Sequence, residues 1–355
     1  MTLLPSALEI IIGIVLLFGG GELFVGGSTA LALLLGIPQI VIGLTVVSLG
    51  TSAPELFVSL ISTIQGNDAI AVSNVVGSNI FNVLVVLGLS ALVVPLRMKS
   101  RLVRRDVPLL LGVSMVVWGM ASGGRLTWQA GLALLVGIAI NLIWEMRTAS
   151  ENPEEAGEVD ESDRATPGVA AAKLAGGLVL LVVGSQVLVK GATAAAVSLG
   201  VSQTVIGLTI VAAGTSMPEL VTSLVAAYRG KADLAIGNVV GSNLLNQLLI
   251  LGLCGLASGG QGLAVDPVMV NRDLPIMVLT TLACLPIFWT HGVITRLEGG
   301  ILVGLYGLYL VEQVLTNTAT SAVDEFRFVA LVVVLPVVLV FLVWQSLRWR
   351  QDRHA

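Results

Sequence analysis

The stretch GLTVVSLGTSAPEL, Gly43–Leu56, returns as GLTIVAAGTSMPEL, Gly207–Leu220, and NVVGSNIFN, Asn74–Asn82, returns as NVVGSNLLN, Asn238–Asn246. From Gly43 to Leu89 the copies align without gaps at a constant offset of 164, with 25 of 47 positions identical. Weaker matches extend the likeness: Gly36 and Gln39 pair with Gly200 and Gln203, and Arg105-Asp106-Val107-Pro108 pairs with Arg272-Asp273-Leu274-Pro275. Self-similarity on this scale decides the architecture before any single residue does.

The chain around the copies is apolar. Of 355 residues, 55% are hydrophobic and 11% charged, and the mean hydropathy is +0.96. A soluble domain carries about 25% charged residues. So little charge cannot make a wettable surface, which excludes a soluble enzyme, a disordered chain and a nucleic-acid binder. Apolar runs fall near 6–29, 38–64, 69–94, 106–122, 127–146, 169–192, 202–228, 233–258, 273–290, 295–315 and 326–347. At about 20 residues per span, these are eleven candidate membrane helices. The 40 glycines suit helices that pack closely on small side chains. Cys254 and Cys284 both lie inside apolar runs, so neither a disulfide framework nor a thiolate metal site is expected.

Charge sets the expected topology. The first run is no cleavable signal peptide, because no Lys or Arg precedes it. With odd-numbered loops and the tail on one side and even-numbered loops on the other, the Lys and Arg residues divide fourteen to four. The basic side faces the cytoplasm. The chain is thus expected to be a multi-pass protein of the plasma (inner) membrane, with its N-terminus outside and its C-terminal tail inside. Ala149–Gly168 holds seven acids with Pro, Gly and Ser and reads as a disordered cytoplasmic linker.

Each copy of the repeat contains five spans, an odd number, so the second enters the membrane in the opposite sense. The expected fold is an all-α polytopic membrane protein: an inverted repeat of five plus five helices and one extra C-terminal helix. Residues 1–148 form the first unit, 149–168 the linker, 169–316 the second unit, and 317–355 the extra helix with a basic tail. Secondary transporters use this plan, with their site at the bilayer midplane.

The polar residues inside the spans are few and regularly spaced. Thr51, Ser52 and Glu55 lie within one helical turn, and Pro54 removes a backbone donor, so carbonyls near Ser48 and Leu49 are candidates for release as ligands. Asn74, Ser78 and Asn82, spaced by four, form one stripe on the next helix. Thr215, Ser216, Pro218 and Glu219, then Asn238, Ser242 and Asn246, repeat the pattern. A carboxylate at the bilayer centre costs about 2.5–3.5 kcal/mol even on the lenient insertion scale. Two at matching places point to a functional interior. Carboxylate, hydroxyl, amide and carbonyl oxygens together suit a hard cation such as Na⁺ or Ca²⁺. The only histidines are His291 and His354, which argues against a softer metal. The plainer reading, that Ser, Thr and Asn merely bond helix to helix, is open for any single one of them. Asp106 and Asp273, just ahead of Pro108 and Pro275, read as helix N-caps. Glu145 and Glu312 read as interfacial. Glu22, with Gln186 opposite it in the repeat, faces either an ion path or the interface.

Two copies of G-T-S-x-P-E-L, each followed by N-x-x-G-S-N-x-x-N, resemble the α-repeats of the calcium/cation antiporter superfamily, and most of all its prokaryotic sodium/calcium exchangers. The resemblance spans the first ten helices. It implies alternating access, two gating helices sliding against a core of eight, and a central cluster of four cation sites, with no cofactor. By matching position it implies Glu55 and Glu219 as principal ligands and Thr51, Ser52, Ser78, Thr215, Ser216 and Ser242 as hydroxyl ligands. Asn82 is the implied amide, and the carbonyls of Ser48 and Ala212 are implied backbone ligands. Asn246 stands where some members carry Asp, and the eleventh span exceeds the usual ten. The implied substrates are Ca²⁺ and Na⁺, handled within the lipid bilayer by a chain for which a monomer suffices.

Three rival functions remain at this stage. An antiporter of the same fold coupled to H⁺ is the nearest, since buried carboxylates also bind protons. An intramembrane hydrolase lacks a histidine beside either serine cluster and an aspartate within it. A passive channel would show no counter-ion coupling.

Overall fold

Lipid offers no partner to a bare peptide group, so apolar runs of this length close their hydrogen bonds internally as helices. The structure, a computed structural model, describes residues 3–97, 100–151, 165–201, 203–206, 209–210, 212–289, 292–318, 320–330, 332, 336–338 and 340–341. The acidic stretch 152–164 and the basic tail lie outside them.

The helices are α1 (Leu3–Leu35), α2 (Gln39–Thr51), α3 (Ala53–Ile64), α4 (Asp68–Val93), α5 (Ser100–Ala121), α6 (Trp128–Glu151), α7 (Pro167–Ser198), α8 (Gln203–Ile206), α9 (Ala212–Gly214), α10 (Met217–Tyr228), α11 (Ala232–Ala257), α12 (Met269–Ile287), α13 (Arg296–Thr318) and α14 (Thr320–Val329). Among the described residues seven helices are long and apolar enough to cross a membrane, or eight if the bent pair α2–α3 counts as one. The chain is therefore a polytopic all-α membrane protein. The eleven spans expected from sequence are not all matched by that measure, and most of the last run, 326–347, lies outside the described residues. Two-residue strands tie the loops together crosswise. Leu96–Arg97 pairs antiparallel with Val293–Ile294, and Arg125–Leu126 with Leu263–Ala264.

Helices α1 and α7 run antiparallel along each other, with glycine at every second turn of both. Gly13, Gly20 and Gly27 on α1 face Leu188, Leu181 and Leu174, while Gly177 and Gly184 on α7 face Phe24 and Leu17. A Cβ at any of these five would fall 2.5–2.9 Å from a backbone atom of the other helix. The two backbones touch because these residues have no side chain. At 33 and 32 residues, and about 1.5 Å per residue, both helices exceed the hydrocarbon thickness of about 30 Å.

The buried helices are α4 and α11, each 83% buried over its most apolar window. Both carry a wide π turn, Asn82–Leu87 in α4 and Asn246–Ile250 in α11. Helix α2 crosses α11 where a Cβ on Gly237 would lie 2.8 Å from the Ile40 carbonyl and one on Gly241 would lie 2.6 Å from that of Leu44.

Asp106 and Asp273 are not N-caps. Helix α5 begins at Ser100, with Pro108 inside it, and Asp273 ends the π turn Met269–Asp273 within α12. Both aspartates are buried beside arginines instead. Arg105 Nη1 lies 3.7 Å from Asp106 and 2.6 Å from Glu145, and Arg272 lies 2.9 Å from Asp273 and 3.3 Å from Glu312. Glu145 and Glu312 are thus drawn in from the interface by their partners. Arg327 of α14 also binds Glu312, through Nε at 2.9 Å and Nη2 at 2.5 Å.

The glycine seam sets a test. Gly184→Ala forces α1 and α7 apart and costs about 1–3 kcal/mol, read as a lower unfolding temperature in detergent. Gly176→Ala, where an added Cβ meets nothing within 4 Å, leaves it unchanged. Equal effects would contradict the seam.

Candidate functional site

The site begins with two helix breaks. Pro54 has no N–H to return to the Gly50 carbonyl, and the chain bends by 48° between α2 and α3. Thr51 and Ser52 occupy the bend, and Glu55 stands in the first turn of α3. Thr215 and Ser216 occupy the matching bend before α10, with Pro218 and Glu219 in its first turn. Glu55, Glu219, Ser52 and Ser216 are all fully or almost fully buried.

Each acid is held by the other copy. Ser52 donates from Oγ to Glu219 Oε1 at 3.0 Å, and Ser216 from Oγ to Glu55 Oε1 at 2.8 Å. The threonines cross in the same way. Thr51 donates to Asn238 Oδ1 at 3.1 Å and Thr215 to Asn74 Oδ1 at 3.3 Å. The two amides then anchor the acid-bearing helices: Asn74 donates to the Glu55 carbonyl at 3.3 Å and Ser59 Oγ at 3.0 Å, while Asn238 donates to the Glu219 carbonyl and Ser223 Oγ at the same distances. A third crossed pair joins α4 to α11, with Asn82 Nδ2 to Asn243 Oδ1 at 3.1 Å and Asn246 Nδ2 to Asn79 Oδ1 at 3.3 Å. Every one of these bonds has a twin at the offset of 164.

Ser78, Ser242 and Ser48 are equally buried but make longer contacts or different ones. Ser78 Oγ is 3.5 Å from Glu55 Oε1, and Ser242 Oγ is 3.5 Å from Thr51 Oγ1. The Ser48 carbonyl is not released by the break. It accepts the Ser52 N–H at 2.9 Å and the Thr51 hydroxyl at 3.4 Å. The Ser48 hydroxyl bridges its own helix to α11, reaching the Gly43 carbonyl at 2.5 Å and that of Asn238 at 3.0 Å. Its counterpart, Ala212, opens α9 and has no hydroxyl, so this link has no twin. Sequence reasoning missed Asn79 and Asn243, which present Oδ1 to the crossed amides. The signal was there, since both belong to the repeated N-x-x-G-S-N-x-x-N.

Once these bonds are drawn, the two glutamates and the two crossed asparagine donors each keep one buried oxygen that accepts nothing: Glu55 Oε2, Glu219 Oε2, Asn82 Oδ1 and Asn246 Oδ1. Among the described residues no cation pairs with either glutamate, and no three acids, histidines or cysteines converge. The donor set is two carboxylates among neutral oxygens, which fits a weakly hydrated or large hard cation rather than a soft metal.

Comparison with known proteins accords with this geometry. The family described as sodium/calcium exchanger protein matches residues 6–146 and 169–315. The sodium/calcium exchanger MaX1 of Methanosarcina acetivorans is 34% identical over 344 residues, covering 86% of this chain and 97% of that protein. The inner membrane protein YrbG of Escherichia coli is 34% identical over 330 residues, covering 89% and 100%. Among solved structures, the sodium-calcium exchanger NCX_Mj soaked with zero Na⁺ and Ca²⁺ superposes with a TM-score of 0.74 at 29% identity, covering 87% of this chain and 99% of that one.

The crossed amides set a second test. Asn79→Leu leaves the Asn246 N–H without an acceptor and costs about 1–3 kcal/mol. Asn243→Leu does the same to Asn82. Both are read by thermal unfolding, and because the pairs adjoin, the double variant loses less than the sum. Strict additivity would mean that the two pairs are independent.

Proposed function

The chain belongs to the sodium/calcium exchanger protein family, and we propose that it exchanges Na⁺ for Ca²⁺ across the membrane at the site formed by Glu55, Glu219 and their oxygen neighbours. The observation that carries this reading is the set of four buried oxygens that accept no hydrogen bond, two from glutamates and two from asparagines, related in pairs by the repeat. Burying an acceptor without a donor is costly, and a bare cation is the partner that satisfies several at once.

Thr51, Ser52, Ser78, Thr215, Ser216 and Ser242 complete the candidate shell, while the Ser48 carbonyl, already accepting two hydrogen bonds, would have to release one of them to join it. Two ionised glutamates balance one Ca²⁺ or two Na⁺. A third Na⁺ would leave the site positive, so three-for-one exchange would carry net charge across the membrane. Because both ions draw on the same carboxylates, binding one excludes the other, and that exclusion couples the fluxes. Asn246 adds an amide in place of a third acid and keeps the charge at two.

In this reading the chain is an inverted repeat, residues 1–148 and 169–316, with the linker 149–168 between them and the extra helix after 317. The site lies between the units and opens to one side of the membrane at a time. The twinning of the crossed serine, threonine and asparagine side-chain bonds at one offset supports this, as do the loop strands, which pair between units rather than within them. The lysine and arginine distribution places the linker and tail in the cytoplasm.

Glu55→Gln or Glu219→Gln keeps the shape of the site and removes one of its two charges. Each is expected to abolish 45Ca²⁺ uptake driven by a Na⁺ gradient in proteoliposomes. Normal uptake by either variant would refute the assignment. Uptake by the wild type under a pH gradient alone, without Na⁺, would instead favour proton coupling.

A further inference from the structure

The α1–α7 pair is not attached equally to the two units. Three consecutive residues of α1 do three different things. Gly20 lets α7 come close, a Cβ on Gly21 would stand 3.1 and 3.2 Å from Val221 and Val225 of α10, and Glu22 forms an ion pair with Arg229, at the end of α10. An added Cβ on Gly26, one turn on, would stand 3.8 Å from Arg229 Nη1. Within the second unit, Ser185 Oγ of α7 donates to the Gly214 carbonyl, just ahead of α10, at 2.5 Å.

The counterparts of these residues in the repeat cannot make the same bonds. Glu22 corresponds to Gln186, Arg229 to Gln65, Ser185 to Gly21, and Gly214 to Gly50. On that side a Cβ at Gly50 would meet the Phe24 ring at 2.9 Å and Leu178 at 3.8 Å, an apolar contact. The charged tie is therefore one-sided, whereas the hydroxyl bonds that cross to the two glutamates and the two amides come in twins. It also sits in line with the site. Glu219, Thr222, Ala226 and Arg229 are spaced by three, four and three, and so share one face of α10. Thr222 Oγ1 on that face is buried with no hydrogen-bond partner.

We propose that Glu22 and Arg229 form a latch that closes the α10 end of the ion path, the cytoplasmic end in the topology above. This rests on the reading that the site opens alternately to the two sides. Opening at the α10 end separates a carboxylate from a guanidinium, whereas among the described residues no ion pair joins α1 or α7 to the α3 end. The protein at rest therefore favours closure at the α10 end. Its two half-turnovers differ in energy even though the ligands of the site are nearly symmetric.

The test uses the full-length protein in lipid nanodiscs and reads amide hydrogen exchange at the ends of α10 (residues 224–231) and α3 (residues 60–66). Glu22→Gln and Arg229→Gln are each expected to speed exchange at 224–231 by about two- to fivefold, the factor that a half-exposed ion pair supplies, with 60–66 unchanged. The swap Glu22→Arg with Arg229→Glu returns 224–231 toward the wild-type rate. Gln186→Glu with Gln65→Arg, which builds the pair at the other end, slows exchange at 60–66. Unchanged exchange in both single variants, or a swap that fails to restore the rate, overturns the latch. A wild type that shows the latch pattern but no Na⁺-driven Ca²⁺ flux would refute the exchange reading and leave the latch standing.

Discussion

Two carboxylates share a buried interior in which the groups that bind them are neutral. Taking a carboxylate out of water costs several kcal/mol even after relaxation, and here no lysine or arginine among the described residues offsets it. Each acid receives a hydroxyl from the opposite copy, Ser52 to Glu219 and Ser216 to Glu55, and each keeps one oxygen uncommitted. An ion pair at the site would have made the protein easier to fold and left no affinity for a passing cation. Neutral donors hold the acids in place without discharging them.

Much of the surrounding architecture follows from that constraint. The donors must come from the other half, so the two broken segments have to meet back to back. Meeting requires α2 to press on α11, and Gly237 and Gly241 permit it. The breaks at Pro54 and Pro218 turn the hydroxyls of the preceding residues toward the partner copy. The π turns starting at Asn82 and Asn246 widen α4 and α11 where their amides cross between helices. A wide turn weakens regular hydrogen bonding, and such turns are often found at functional sites. Asn74 and Asn238 then clamp the acid-bearing helices to their neighbours. They bond to backbone and serine and leave the carboxylates to the cation.

The sequence made some of this readable and hid the rest for definite reasons. The repeat revealed the two glutamates, the hydroxyls beside them and the asparagine stripe, because the same residues recur at one offset. Apolar length located most helices to within a few residues. The roles of Asn79 and Asn243 were hidden because side chains adjacent in sequence, Ser78 and Asn79, point to different neighbours, and periodicity on one helix does not say which neighbour is where. Asp106 and Asp273 were misread as caps. A proline after an acid usually opens a helix, but here a π turn and buried arginines carry the helix past it. Glu22 stayed ambiguous because its partner Arg229 lies 207 residues away, beyond any local pattern.

The departures from symmetry carry a separate meaning. A perfect inverted repeat would have equal energies facing either side, and the membrane's own gradients would supply all direction. This chain breaks the symmetry at few places. Ser48 bridges α2 to α11 while Ala212 has no hydroxyl. Asn79 turns its amide to Met277 while Asn243 turns its own to the Asn79 carbonyl. None of these touches the uncommitted oxygens of the glutamates. The uncommitted oxygens stay paired and their supports differ, so in the exchange proposed above ion selectivity and the preference for one facing state would be held by separate residues and could be altered separately.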